Sequence, residues 1–526
     1  MNIKRLLRLM FWIGSVLLLA FRNPGPIQDP WKAPDWTDGL KPIGKQSPSI
    51  LAEGKALYTS YCLACHGVNG KGEGALGAGF PIKPANFQTH AVKSQKDGAI
   101  FWKLSEGRGN MPSYKATLSD EQRWQLVAYI RELSGGIPAQ PHKYEHLLPA
   151  NNYVIPSGLS SPYLPLPPKV SNAVGSEELV FMVDTVVSGL TRPWSMVFLP
   201  DNRILIAERA GNLRVVKDGA LQATSIIGNV PVGLRDLKLH PRFMENRRIY
   251  LSYYIEPLNG SGGYTVLMSG RLEGDKMVDE KVLYKAGPFK EGGETYGSRI
   301  AFDKAGFLYF TVGQRTIDDR HRWKTVQDKT NPSGKVMRFN DDGSIPADNP
   351  FVDSLGVLKE IFTYGHRQPQ GLITHPQTGE IWESEHGEMG GSELNLLKKG
   401  SNYGWPDVTF SRNYDGTYIS KDTVRAGMES PVHHWTPSIA PSNFDFIYGD
   451  LYPGWNNNLF IGAMVLKHLT RTVFQHGMPV HNETLLENIG RIRDVKVGPD
   501  RFLYLMIEDT GQVIRLIPLK KAGSDN

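Results

Sequence analysis

Cysteine is nearly absent from this chain: 526 residues contain two, Cys62 and Cys65. No second pair exists to complete a zinc site, and no thiol is spare for a disulfide that would report the compartment. Charge of one sign is also missing. Lys and Arg number 59 against 53 Asp and Glu, for a net charge of +6, and no Lys/Arg-rich block stands out, so nucleic-acid binding has no support. Long apolar runs are lacking too. The stretch Leu9 to Phe21 is 13 residues, short of the ~20 that span a bilayer. What is plentiful is Gly (55) and Pro (36), with 21 Tyr and 21 Phe, a balance that favours many short strands joined by turns.

The two cysteines stand together as Cys62-Leu63-Ala64-Cys65-His66. Spaced so on a helical turn, two thiols can add to the two vinyl groups of one haem, and the adjacent imidazole then reaches the iron. A vicinal redox pair uses the same CxxC spacing but leaves His66 and the flanking sequence unexplained. Lys4, Arg5 and Arg8 before the short apolar run read as a secretory signal. No small-x-small cleavage site follows Ala20, so residues 1–22 are a signal peptide or a retained N-terminal membrane anchor. Export to the periplasm fits the haem, because thioether attachment occurs outside the cytoplasm in bacteria.

After a tether at 23–47, a helical pattern at Ile50, Gly54, Leu57, Tyr58 and Tyr61 delivers the chain to Cys62. A glycine-rich loop, Gly67 to Gly74, can pass close to a flat cofactor edge. Met111 lies in a Gly/Pro loop before Pro112, not on an apolar helical stripe, and is the candidate sixth ligand to iron. Ser119 and Gln122 form a capping box for a last helix whose Leu126, Val127, Ile130 and Leu133 make a buried stripe. Residues 48–135 thereby resemble a class I cytochrome c, a small all-α domain. The resemblance implies haem c held by Cys62, Cys65, His66 and Met111, and a redox partner such as a cytochrome, quinone or oxidase.

Residues 136–178 are Pro-rich and read as a linker, in part an arm draped over the second domain. From there one pattern recurs: an apolar strand, a turn, a second apolar strand. Six such repeats, at unequal spacing, predict an all-β six-bladed β-propeller over 179–520 with a tail at 521–526; a β-sandwich array is the runner-up.

Six stretches of this half resemble the glucose/sorbosone dehydrogenase family of propeller enzymes, which use pyrroloquinoline quinone (PQQ) and calcium: Arg192-Pro193-Trp194, Tyr364 to Gly371, Ser384 to Gly387, Asn402 to Pro406, Pro437 to Ser442 and Arg491 to Val495. The resemblance implies that Arg367 stands at the quinone with Gln370 in the same loop, that Arg491 and Arg493 grip the cofactor carboxylates, and that Ser438 lies close by. It implies calcium held by the backbone carbonyls of Gly387 and Glu388, the latter replacing a proline. The chain departs from the family in one region. Thr295 replaces the base histidine, Gln314 the acid that supports it, Arg235 follows Gly-Leu where a glutamine is missing upstream, and Val465 stands near the cofactor lysine. His366, His386 and Tyr296 are the candidate substitutes for the base. Two readings are open: an exported PQQ-dependent aldose dehydrogenase that passes electrons to its own haem, or an electron-transfer cytochrome carried on a catalytically degenerate propeller that docks a partner.

Overall fold

The computed structural model describes residues 31–34, 37, 50–80, 82–115, 117–134, 147–255, 263–289, 297–314 and 324–523. Thr295, Tyr296, the signal-like segment and most of the tether lie outside them. No helix among the described residues is long and apolar enough to cross a membrane.

The first part is helical: α1 (Ile50–Tyr61), α2 (Leu63–His66), α3 (His90–Lys93), α4 (Asp97–Glu106) and α5 (Asp120–Ser134). The crossing of α1 and α5 is set by Gly54, where an added Cβ would lie 2.1 Å from the carbonyl oxygen of Gln125. The expected capping box is present, with Ser119 N donating to Gln122 Oε1 (2.9 Å) and Gln122 N to Ser119 Oγ (3.2 Å). Tyr58, Phe101, Leu104, Trp124, Leu126 and Ile130 close the core between these helices.

The second part is a β-propeller. Five sheets have four antiparallel strands each, and each is built from one continuous stretch, beginning at Pro193, Leu234, Gly297, Pro369 and Pro441. The expectation of six like blades is corrected here, because the ring is closed by a sheet of seven strands. Ile492–Val497, Leu503–Ile507 and Gln512–Lys521 pair with Val180–Val187 from the front of the propeller. Ala173–Gly175, Leu147–Leu148 and Tyr153–Val154 extend it. Part of the Pro-rich stretch read as linker is therefore sheet. Strands of two or three residues carry no periodicity, and proline density masks them.

The innermost strands of the six sheets contact one another in a closed ring around the axis. Each sheet has a register shift at the start of its innermost strand, at Pro193/Ser195, Gly297/Ile300, Pro369/Gly371, Pro441/Phe444 and Ile492/Asp494, and opposite Leu234–Leu237 in the second sheet. Such bulges bend a strand and re-aim its side chains. Trp194, Arg235, Gly297, Gln370, Ala440 and Arg493 stand at these six places, and all six line one pocket at the channel mouth.

Candidate functional site

In the helical part, Cys62, Cys65, His66 and Met111 line one mainly apolar cleft of about 450 Å³. Tyr58 Oη donates to Gly67 O (2.6 Å), and Tyr114 Oη donates to Tyr61 O (2.8 Å), so two buried phenols pin the ends of the attachment turn. His66 is buried and stacks on Phe87 at 4.6 Å. Its Nδ1 donates to Ala85 O (3.1 Å), which leaves Nε2 as the free lone pair. Burial pushes the imidazole down to about 4, so it is neutral. Opposite, Gly107 has φ +64°, and a Cβ there would lie 2.4 Å from Pro112 C. That turn presents Met111 through paired backbone bonds between Arg108 and Met111. Two free thiols, a neutral imidazole with an open Nε2 and a thioether share an apolar cleft, and this donor set fits haem c.

In the propeller, Arg367, Gln370, Gly387, Glu388, Ser438, Arg491 and Arg493 all line the channel-mouth pocket, which has a volume of about 240 Å³. The sequence had scattered them over 127 positions. Arg493 donates to Glu508 Oε2 (2.6 Å) and to Gln370 Oε1 (3.3 Å), and burial lowers its guanidinium to about 10. Arg491 donates to Met464 O (3.2 Å). Ser438 Oγ meets Ser392 Oγ at 2.6 Å and accepts from Ala440 N. Beneath them lies Arg299, fully buried and stacked 3.9 Å from the Trp194 ring. It donates to the backbone carbonyls of Gln370 (2.6 Å) and Arg493 (3.0 Å) and pairs with Asp236 and Asp494. One side chain thus ties its own sheet to three others at the floor.

Arg209 and Arg235 line the same pocket, which makes five arginines and one carboxylate, Glu388, in the lining, with Glu508 behind Arg209, Arg491 and Arg493. A cavity of that charge fits a small polyanion such as the tricarboxylate PQQ. It does not fit a lone divalent cation. Arg367 Nη1 donates to the carbonyls of His386 (2.9 Å) and Gly387 (3.1 Å), and Nη2 pairs with Glu388 at 2.6 Å. Of the two carbonyls expected to hold calcium, both hard donors, that of Gly387 is taken by this guanidinium. Glu388, expected to act only through its backbone, acts through its side chain.

Among the candidate bases, His366 is removed from the pocket. It is fully buried, meets Thr363 Oγ1 at 2.9 Å and Glu385 Oε1 at 3.4 Å, and stacks on Tyr403. It sits with Glu383, Glu385 and Glu393 around Asn395, whose amide donates to all three carboxylates. Burial holds Glu383 and Glu393 well above the usual carboxylate range. Glu385 in turn accepts from the backbone N–H of Arg367 and Gln368, so this cluster fixes the arginine loop from behind. His386 does line the pocket. Its Nε2 donates to Pro441 O (2.9 Å), and burial together with Arg367 and Arg493 pushes it down to about 3. Gln314 accepts from Trp405 Nε1 (2.7 Å), and its own N–H donates to Arg367 O (2.6 Å), outside the pocket lining. Sequence reasoning missed Arg209, Tyr414 and Leu76, which no motif marks.

A cleft with the donor set of a c-type haem beside an arginine-lined propeller mouth defines a two-domain redox protein of the cytochrome–propeller class. Residues 190–515 match the family model described as glucose/sorbosone dehydrogenase, and residues 50–130 match that of cytochrome c oxidase, cbb3-type, subunit III. The chain belongs to the glucose/sorbosone dehydrogenase family, with a cytochrome c domain joined ahead of it. Aldose sugar dehydrogenase YliI of Escherichia coli K12 is 36% identical over 362 residues, covering 66% of this chain and 96% of that protein. The solved apo form of the soluble E. coli aldose sugar dehydrogenase aligns with a TM-score of 0.60 at 35% identity, covering 65% of this chain and 99% of that one. Cytochrome c6 of Synechocystis is 34% identical over 80 residues, 15% of this chain and 62% of that protein.

Proposed function

We propose that this chain is an exported, PQQ-dependent aldose dehydrogenase whose electrons leave through its own haem. The observation that carries the reading is the convergence of Arg367, Gln370, Ser438, Arg491 and Arg493, with two further arginines, on one cavity. We count the seven-stranded sheet as the sixth blade, the one that closes the channel. The signal-like residues near Lys4 and Arg8 support a periplasmic place for the protein, and an external cytochrome, quinone or oxidase is the expected final acceptor.

PQQ, when bound, supplies an acceptor for the hydride of a sugar carbinol, and haem c supplies a one-electron outlet. The chain's own residues do the rest. Arg491 and Arg493 bind carboxylates, with Glu508 holding Arg493 in register. Arg367, held by the carbonyls of His386 and Gly387, sets a fixed positive charge where oxyanion character develops. His386 is the proton acceptor. Burial first, then Arg367 and Arg493, hold it neutral; with Nε2 donating to Pro441 O, Nδ1 is the atom that accepts, and a bound polyanion offsets only the arginine part of the depression. Calcium has no role derived from these residues alone.

The test is to load the purified protein with PQQ and supply a panel of aldoses with a dye acceptor. Dye reduction that is lost in Arg367→Met and in His386→Ala supports the assignment. Stoichiometric PQQ binding without turnover of any sugar favours the second reading, a propeller that only docks partners.

A further inference from the structure

The segment that carries the haem thiols reaches beyond the haem. Ala64, between the two cysteines, is 3% exposed and belongs to a hydrophobic cluster whose other members, Trp382, Trp435, Ile439 and Ile461 among them, are propeller residues. Leu76 packs against the same cluster, as does Val465, and Leu76 N donates to Ala64 O (2.9 Å). Leu76 then lines the arginine pocket, together with Val465 and Met464. The strip around it is closely packed. Added Cβ atoms on the flanking Gly74 and Gly77 would lie 2.4 Å from Ala64 O and Cys65 O.

A second contact backs the first. Arg412 and Tyr418 pair across a hairpin, closed by Asn413 N donating to Thr417 O (2.9 Å). Tyr414 of that hairpin lines the arginine pocket and Asp415 lines the haem cleft. Gly416 abuts the Met111 loop, where its Cβ would lie 2.6 Å from Asn110 Oδ1 and 2.9 Å from Gly109 O. The two sites are therefore walled by neighbouring residues at two places, Leu76 near Cys65 and Tyr414 next to Asp415.

We propose that the cytochrome domain supplies one wall of the substrate pocket and that Leu76 is a specificity-determining residue that limits the length of the saccharide. This rests on the reading of the pocket as a sugar site, and the reason is chemical. Each sugar hydroxyl brought against a leucine loses its water without gaining a partner, which disfavours binding. A longer saccharide has either to bury its next ring against Leu76 or to displace the strip that holds the haem thiols. Val465 belongs to the same device, because an apolar residue there packs on the docked domain.

Two variants test this on the haem-loaded full chain. With Cys62 and Cys65 held in thioethers, Leu76→Cys carries the single free thiol. At low salt an anionic thiol reagent should modify it at least about tenfold faster than a cationic one of equal size, and the difference should collapse in high salt. Equal rates at low salt put the residue outside the arginine pocket and overturn the proposal. In Leu76→Ala, read with a dye acceptor, the ratio of kcat/KM for a disaccharide over a monosaccharide should rise about tenfold or more, with the haem spectrum unchanged. An unchanged ratio overturns the specificity assignment. Charge-selective labelling that PQQ fails to block, with no sugar oxidised by the parent protein, leaves the wall standing and removes the sugar–quinone reading instead.

Discussion

Glu388→Gln is the substitution with the sharpest expected consequence. Glu388 is the one carboxylate among five arginines in the pocket, and it pairs with Arg367 Nη2 at 2.6 Å with both side chains less than a fifth exposed. A polyanionic cofactor must compete with it for that guanidinium. A charge-assisted hydrogen bond of this kind is worth about 1.5–3 kcal/mol, so its removal should tighten PQQ binding by about ten- to a hundredfold. The cost to the fold is small, because Arg367 keeps its bonds to the carbonyls of His386 and Gly387. A loss of about 1 kcal/mol is expected, a few degrees in the melting midpoint at most. Calorimetric titration of PQQ into the parent and variant, with thermal melts alongside, measures both quantities. Affinity that is unchanged or weaker at an intact melting midpoint refutes the idea that Glu388 is an internal competitor. If added calcium tightens PQQ binding in the parent but not in the variant, the carboxylate is a cation ligand instead.

Gly54→Ala should lower stability by about 1–3 kcal/mol and reduce the haem content of purified protein, because the new methyl meets Gln125 O where α1 crosses α5; an unchanged melt would mean the crossing relaxes freely. Met111→Ala should lower the haem midpoint potential by on the order of 0.1 V, within the ~0.8 V range that axial ligands command, and an unchanged potential would remove Met111 as a ligand. Lys335, fully buried with its ammonium on the carbonyls of Val326 (2.8 Å) and Ser333 (2.6 Å), is held down to about 7 by burial. Between that value and the ordinary lysine range the unfolded chain binds the extra proton, so stability attributable to Lys335 rises with pH across this window. The difference in unfolding free energy between the parent and Lys335→Met should therefore shift towards the parent by on the order of 4 kcal/mol from pH 7 to pH 10, and a flat difference would contradict a depressed lysine.

The haem cleft was legible because its chemistry is local. Two thiols and an imidazole within five residues can hardly do anything else together, and Met111 was marked by a loop that no packing stripe needed. The arginines were legible only as parts of longer motifs, and the bulges that turn Gln370 and Arg493 into the channel leave no trace in hydropathy. Leu76, Arg209 and Tyr414 were invisible, since a leucine in a glycine loop has meaning only once a second domain is laid against it. The side chain of Glu388 was overlooked for a similar reason. Its sequence position argued for a carbonyl, while its side chain found Arg367 in space. The strands at 147–154 and 173–175 were hidden by prolines, which argue for an extended tether as strongly as for a sheet edge.

The central claim is that one chain carries both the oxidising pocket and its outlet, and single-turnover kinetics tests that most directly. PQQ-loaded protein with ferric haem is mixed rapidly with an aldose, and the haem absorption band is followed at several protein concentrations. Haem reduction with a first-order rate independent of protein concentration, abolished in Arg367→Met, is the predicted result. Reduction whose rate scales with protein concentration, or sugar oxidation that leaves the haem ferric, would contradict it.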